Sequence, residues 1–552
     1  MKKRTLIVRI AAAFGLVAAM VVPAQGADTT STLITLTAPS DIKDVAPLPF
    51  TAVKSAAFTT PESSINLEVT PQQGYVGSAF SVIGKGLKPN TAMDLVWSTS
   101  EGTWITDIQP NTVNYMGVKY SKFYVNMAKV TTDATGGFIF KTKAPSDFGG
   151  VHDIYAVVDG VAVAHGGYQM LRTVSISPTS GPIGTPITIT YTGMGASLYT
   201  AGGSVLYDNK YAGAMQALWT RGTGKAVIRA SGDVGKHVIY VLDGIGIPYL
   251  NIIQSPVPFA NGGTQVFTVT KDAGAPAPYL VYPDKVTPTV TQKTTLSNIG
   301  LNPNTKAVAT LSRDEGPVLT KVKLDVKGMS TTGTHTIEWA TVVGNRVNCT
   351  GTCWVYNSVP MGSVDVTGAD FSKEIQIPDH LGGWHVIQVK KAGVIEAQVP
   401  FYVQESIMPY YDSKGKLLSM GIAKADPSGM PEARNGSGVP TNKFKAGEEF
   451  TIAIKGVGWT QLDNTLAVTY DNSFIGYGCG FNSNGYMVIH LKATGKPGTH
   501  IIDLWPLLYT NQPSFANTPY GMLPILTAGR DFPGLALGYR LPSIHFAITI
   551  VK

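Results

Sequence analysis

Four segments of the chain share one short phrase, and that repetition constrains the fold more than any other feature. They read "GGVHDIYAVVDG" from Gly149, "VGKHVIYVLDG" from Val234, "GGWHVIQVKKAG" from Gly382 and "KPGTHIIDLWPL" from Lys496. Each contains glycine, one variable residue, histidine, one variable residue and isoleucine. Successive side chains of a strand point to opposite faces. One face therefore carries His152-Ile154-Ala156, His237-Ile239-Val241, His385-Ile387-Val389 and His500-Ile502-Leu504. A similar outline precedes each phrase: "LEVTPQQGYVGSAFSVIGKGL" from Leu67, "VSISPTSGPIGTPITITYTGMG" from Val174, "YLVYPDKVTPTVTQKTTLSNIGL" from Tyr279 and "FKAGEEFTIAIKGVGW" from Phe444. An opening strand pair and a closing strand recurring four times in the same order predict an array of small domains rather than one large fold.

The second opening segment resembles the start of IPT/TIG immunoglobulin-like domains. Ile176, Pro178, Gly181, Gly184, Ile187, Ile189, Gly193 and Gly195 fill that family's pattern, with Ala196 where a bulky residue is usual. In the first copy Val69, Pro71, Gly74, Gly77, Phe80, Val82, Gly84, Gly86 and Leu87 fill it too. The third copy lacks the turn glycines, and the fourth keeps Gly447, Gly456 and Gly458. The resemblance implies a β-sandwich of two antiparallel sheets and no particular activity, since such sandwiches serve many tasks.

The start of the chain reads as a secretory signal. Lys2, Lys3, Arg4 and Arg9 precede the apolar "IAAAFGLVAAMVV", and "PAQGA" places cleavage after Gly26. No later stretch is long and apolar enough for a membrane-spanning helix. The expected location is secreted or cell surface, with the periplasm as an alternative. The expected divisions are signal peptide 1–26, flexible lead 27–63, immunoglobulin-like domains 64–172, 173–274 and 275–405, linker 406–442, and a fourth domain 443–552. Fold class is thus all-β, a tandem array of about four immunoglobulin-like antiparallel sandwiches. The net charge of +7 falls to 7 − 4 = +3 without the four basic signal residues. So weak a balance argues against a nucleic-acid binder.

The repeated histidine has two readings. As a structural corner it is the first inward residue of a strand, half buried, with one nitrogen on a backbone carbonyl. As a metal ligand it needs companions, yet no second His or Cys keeps a fixed offset from it. The structural reading is preferred, and no metal or cofactor is expected. Cys349 and Cys353 flank "TGT" as a candidate disulfide loop, and Cys479 is left over, either inert or pairing between chains. The carboxylates near Asp365 and Asp471 lack the ordered spacing of a calcium loop, so ordinary turns are expected while calcium stays open. Signatures of serine hydrolases, zinc peptidases and phosphate loops are missing.

Two aromatic-rich insertions stand out. One carries Trp97, Trp104 and Tyr115; the other, from Leu504 to Pro542, carries Trp505, Tyr509, Phe515, Tyr520, Phe532 and Tyr539. Long apolar loops either cap their own sandwich or anchor a partner domain, a neighbouring subunit or a sugar ring. The leading expectation is a rod of sandwiches in a non-enzymatic exported protein for adhesion, surface-layer or extracellular structural assembly. Its partners would be other surface proteins or copies of itself. The alternative is a carbohydrate-binding or accessory protein of a polysaccharide-processing system, and a third is an enzyme with an unrecognised site in the last domain.

Overall fold

The computed structural model describes residues 32–61, 65–109, 112–197, 200–244, 247–248, 250–251, 253, 259–290, 300–344, 354–425, 438–508 and 523–552. The signal segment and the Cys349–Cys353 loop lie outside them. Among the described residues the protein is all-β, an array of immunoglobulin-like sandwiches built mainly from antiparallel ladders.

Alternation in the sequence explains the layers. In Ala79–Gly84, Phe80 and Val82 turn inward while Ala79 is exposed and Ser81 and Ile83 are half-buried. That strand pairs with Glu68–Thr70 and Phe138–Lys143, and it packs on the sheet of Ala92–Gln109, Gly150–Val158 and Val161–Met170. The second sandwich joins Thr173–Ser177, Pro186–Thr192 and Thr223–Arg229 to Gly202–Tyr207, Lys210–Gln216, Gly235–Asp243 and Phe259–Val269. The third joins Val308–Leu311, Lys321–Lys327 and Phe371–Gln376 to Gly333–Gly344, Trp354–Val366, Gly383–Lys391 and Val394–Gln404. In the fourth, Glu449–Lys455 and Met487–Lys492 face Thr465–Tyr470, Ser473–Cys479, Gly498–Leu508 and Ser543–Val551.

Three segments differ from expectation. The lead is not a free tail over its described part. Thr32–Leu36 runs antiparallel to Trp104–Ile108, because its alternating apolar residues find an open edge there. The segment read as linker contributes Ser406–Ile407 and Ile422–Lys424 to the sheet of Glu449–Lys455, with Ile407 and Ile422 buried in that core. Tyr279–Val281, read as the opening of the third sandwich, instead pairs with Ser543–Val551 of the fourth. The Tyr279 ring packs on His545 there, centroids 4.6 Å apart.

The four sandwiches form two matching pairs. Tyr207-Asp208-Asn209 and Tyr470-Asp471-Asn472 stand 263 residues apart (470 − 207), as do His237 and His500 (500 − 237). Gly149 N–H donates to Met194 O at 2.7 Å, and Gly382 N–H donates to Val457 O at 2.9 Å. Met194 N–H then donates to Gly222 O at 3.0 Å, and Val457 N–H to Gly485 O at 3.1 Å. The first sandwich therefore joins the second as the third joins the fourth. At both joints glycine is obligatory: a Cβ on Gly149 would lie 1.8 Å from Gly193 O, and one on Gly382 would lie 1.7 Å from Gly456 O.

The two pairs then fold onto each other. Tyr211 and Phe474 occupy equivalent positions (474 − 211 = 263), and their rings meet edge-on at 6.4 Å. Asp233 and Lys496 are also equivalent (496 − 233 = 263) and form an ion pair at 2.6 Å. Contacts between equivalent positions are the mark of a two-fold relation. The second and fourth sandwiches thus meet as a pseudo-dimer.

The expected end-to-end rod is therefore incorrect. One apolar core joins Leu36 and Ile42 of the lead, Trp104 and Ile108 of the first sandwich, Leu218 and Trp219 of the second, Trp384 and Tyr402 of the third, and Phe532, Leu535, Leu537 and Tyr539 of the fourth. Such a core forms because the Leu523–Leu541 stretch is too apolar to remain in water. Gly149→Ala and Gly382→Ala should each lower stability by about 1–3 kcal/mol in urea unfolding, the usual cost of overpacking. Gly368, whose Cβ would meet nothing within 4 Å and whose φ is ordinary, should tolerate alanine within about 0.5 kcal/mol.

Candidate functional site

The four repeated histidines occupy one structural position. In each, Nε2 contacts a carbonyl three or four residues back: Phe148 O for His152 (2.7 Å), Asp233 O for His237 (2.7 Å), Gly382 O for His385 (3.0 Å) and Lys496 O for His500 (2.8 Å). Each ring also stacks on an aromatic of the neighbouring strand. His152 and His385 lie on Trp97 and Trp339 at 4.3 and 4.7 Å. His237 and His500 lie on Tyr207 and Tyr470 at 5.3 and 5.7 Å.

Nδ1 divides the rings into the same two classes as the domain pairing. His152 meets Ser98 O at 2.7 Å and His385 meets Ala340 O at 3.1 Å. His237 meets the Asp208 carboxylate at 2.5 Å and His500 meets Asp471 at 2.6 Å. The second oxygen of each Asp accepts the following strand's N–H, Val238 at 2.9 Å and Ile501 at 3.1 Å. His152, His237 and His385 are buried, His500 is half-buried as expected, and both nitrogens of each ring are engaged rather than one. The four sit at the ends of four separate sandwiches. No group of three or more His, Cys, Asp or Glu side chains arranged to hold a metal occurs among the described residues.

Electrostatics separates two members. Burial pushes the His385 ring down to about 4. Burial works against a proton on His500 as well, but the Asp471 hydrogen bond and charge hold that ring above the usual imidazole range. Asp471, weighed above as a calcium-loop carboxylate, is committed to His500 and Ile501. Asp365 accepts a hydrogen bond from Thr334 Oγ1 at 2.6 Å.

The described candidate aromatics are interior. Trp97 is fully buried in the first sandwich and donates from Nε1 to Asp147 at 2.9 Å. Trp104, Phe532 and Tyr539 are buried in the shared core, with Tyr115 packed against it. Tyr115 N–H donates to Gln461 Oε1 of the fourth sandwich at 2.7 Å. Trp505 is buried between the second and fourth sandwiches and donates to Thr469 Oγ1 at 3.2 Å. Tyr509, Phe515 and Tyr520 lie outside the described residues. Cys479 is a free, exposed thiol.

Sequence reading missed three things. First, "GTHTI" from Gly333 is a fifth instance of the phrase. Its His335 sits at the start of a hairpin strand and contacts Thr331 Oγ1 at 2.9 Å and Glu396 at 3.3 Å, so the phrase alone does not define the corner. Second, the repeated "YDN" was a readable signal of the two-plus-two duplication. Third, Ser543, His545 and Asp503 line up with Oγ···Nε2 at 2.9 Å and Nδ1···Oδ1 at 2.7 Å. That is the spacing of a nucleophile relay. However, the same Asp503 Oδ1 takes Arg229 Nε at 2.8 Å, and both side chains are 1 % exposed. Arg229 comes from the second sandwich, so the set is a buried ionic clamp across the pseudo-dimer.

No protein-family model matches the chain, and no curated protein matches it. Among solved structures it is similar to Escherichia coli alpha-2-macroglobulin, 9 % identical over 85 % of this chain and 30 % of that one, TM-score 0.16. It is similar to a putative membrane-anchored protein from Corynebacterium diphtheriae, 13 % identical over 61 % and 90 %, TM-score 0.15. An adhesin of Yersinia pseudotuberculosis is 11 % identical over 58 % and 97 %, TM-score 0.13. The chain spans 30 % of the macroglobulin's length. Superpositions at these scores add no argument about function.

Arg229→Met strands a buried carboxylate and should cost about 3–5 kcal/mol in denaturant unfolding. Arg229→Met with Asp503→Leu should recover most of that loss. The two histidines should respond oppositely to pH. His385 has a folded value below its unfolded one, so it removes stability as pH falls from about 6.5 towards 4. His500 has a raised value, so its contribution is full below about 6.5 and is lost as pH rises through the folded value. Thermal melts against pH should lose the first slope in His385→Gln and the second in His500→Gln.

Proposed function

We propose that this is a non-enzymatic exported surface protein of IPT/TIG-like sandwiches, serving adhesion or the assembly of a surface layer or other extracellular structure. The observation carrying the reading is the use of the insertions. The described apolar residues of those loops, which could have formed an open ligand platform, are consumed in clamping four sandwiches together. Rigid presentation of outer sheet surfaces is what such an arrangement provides, and its partners would be other surface proteins or copies of itself. The basic-then-apolar start supports export, and among the described residues no helix is long and apolar enough to cross a membrane.

A polysaccharide-binding reading would need aromatic faces open to sugar, and Trp104 and Trp505 are both closed off. Fractionation and immunogold imaging of native cells test the main reading. The protein should appear at the envelope surface or in the medium, and confinement to the cytoplasm would refute it. In a polysaccharide pull-down, Trp104→Ala and Trp505→Ala should lower the melting temperature without changing retention per folded molecule. Selective loss of retention at unchanged stability would favour the carbohydrate reading.

A further inference from the structure

One buried carboxylate of the shared core lies where the first, second and fourth sandwiches meet. Asp531 is fully buried in the insertion of the fourth sandwich. Its Oδ1 accepts the Trp104 Nε1–H of the first sandwich at 3.0 Å, and its Oδ2 accepts the Leu218 N–H of the second. Three sandwiches therefore converge on one acidic side chain. Among the described residues no cation pairs with it. The adjacent Arg530 turns outward to Asp44 of the lead at 2.6 Å, and Lys225 of the second sandwich pairs with the same Asp44 at 3.0 Å. Arg221, beside the Leu218 loop, donates to Ser100 O. The titratable groups that influence Asp531 from the opposing hairpin are the neutral phenols of Tyr115 and Tyr120.

We propose that Asp531 is a protonation-controlled latch: its neutral acid closes the junction of the four sandwiches, and its ionisation loosens that junction. A buried carboxylate without a counter-charge is tolerated only while it holds its proton or while water reaches it. Hydrogen bonding from three neutral donors, the Leu218 and Trp219 backbone N–H groups and Trp104 Nε1–H, stabilises the anion in part and leaves the charge uncompensated. Burial lifts this carboxyl to about 7, while the Leu218, Trp104 and Trp219 donors pull the other way. In an opened junction the group would be wet and return to the ordinary Asp range. Closure thus binds a proton. The closed state is favoured at acidic pH, loses ground roughly tenfold per unit as pH rises from about 4 to about 7, and levels off above. The consequence for a surface protein is a change in rigidity with the pH of its surroundings.

The test uses the mature chain, residues 27–552, with hydrogen exchange of the 523–541 segment followed from pH 5 to 9 after correction for intrinsic exchange. Wild type should lose protection as pH rises to about 7, by ten-fold or more, and then plateau. Asp531→Asn cannot ionise and should show little change over that range. Identical pH profiles in wild type and Asp531→Asn would overturn the proposal. Should Asp531→Asn fail to fold, Trp104→Phe provides the second readout. Removing one donor to the anion should move the midpoint to higher pH, and an unmoved midpoint would equally overturn it.

Discussion

The removal of a long apolar insertion from water organises this molecule. Leu523–Leu541 cannot be covered by its own sandwich alone, so it takes its cover from the other three and from the lead. Burial of large aromatic and aliphatic side chains contributes roughly 1.5–3 kcal/mol each. A cluster of this size outweighs the modest hydrogen bonds at the domain joints. Tandem sandwiches with short junctions would otherwise move as hinged units. Here the insertion removes that freedom, and the Arg229–Asp503 pair fixes how the second and fourth sandwiches meet. Buried ion pairs of this kind set geometry more than they add stability.

Duplication explains why the contacts fit. A two-sandwich unit with a glycine-lined joint occurs twice, and the two units meet through equivalent surfaces. Self-complementary surfaces arise most simply when identical copies associate. Later divergence is visible at the dyad, where Asp233 faces Lys496 and Tyr211 faces Phe474. Unlike residues at equivalent positions fit an interface within one chain, because they need no longer complement themselves.

Much of the fold was legible in the sequence, and most of the assembly was not. Period-two alternation around His152, His237, His385 and His500 marks real strands, since an inward isoleucine two residues on must follow the pleat. The paired glycines in "GGVH" and "GGWH" set two copies apart from "VGKH" and "PGTH", and the structure gives the reason: the extra glycine touches the next sandwich. The lead and the 406–424 segment read as connectors in the sequence because short strands that complete another sheet's edge carry too few residues for periodicity to declare itself. Whether aromatics such as Trp104 and Trp505 cap their own sandwich or anchor a partner stays open in the sequence, because sequence reports that a residue is apolar, not what covers it. The Ser543–His545–Asp503 alignment was invisible for a similar reason, as its members come together only through the ladder of Gly498–Leu508 with Ser543–Val551.

Four sandwiches share one core rather than standing in a row. Site-resolved cross-linking of residues 27–552 tests this most directly, with cysteine pairs placed at Ala38 and Ala536 and at Ala214 and Ile525, in a Cys479→Ser background to remove the exposed native thiol. Both pairs should join within single molecules at high yield, because Ala38 packs beside the core that contains Ala536 and Ala214 bridges Ile525. Failure of both pairs to form intramolecular links, with the protein folded, would contradict the shared core and restore the extended array.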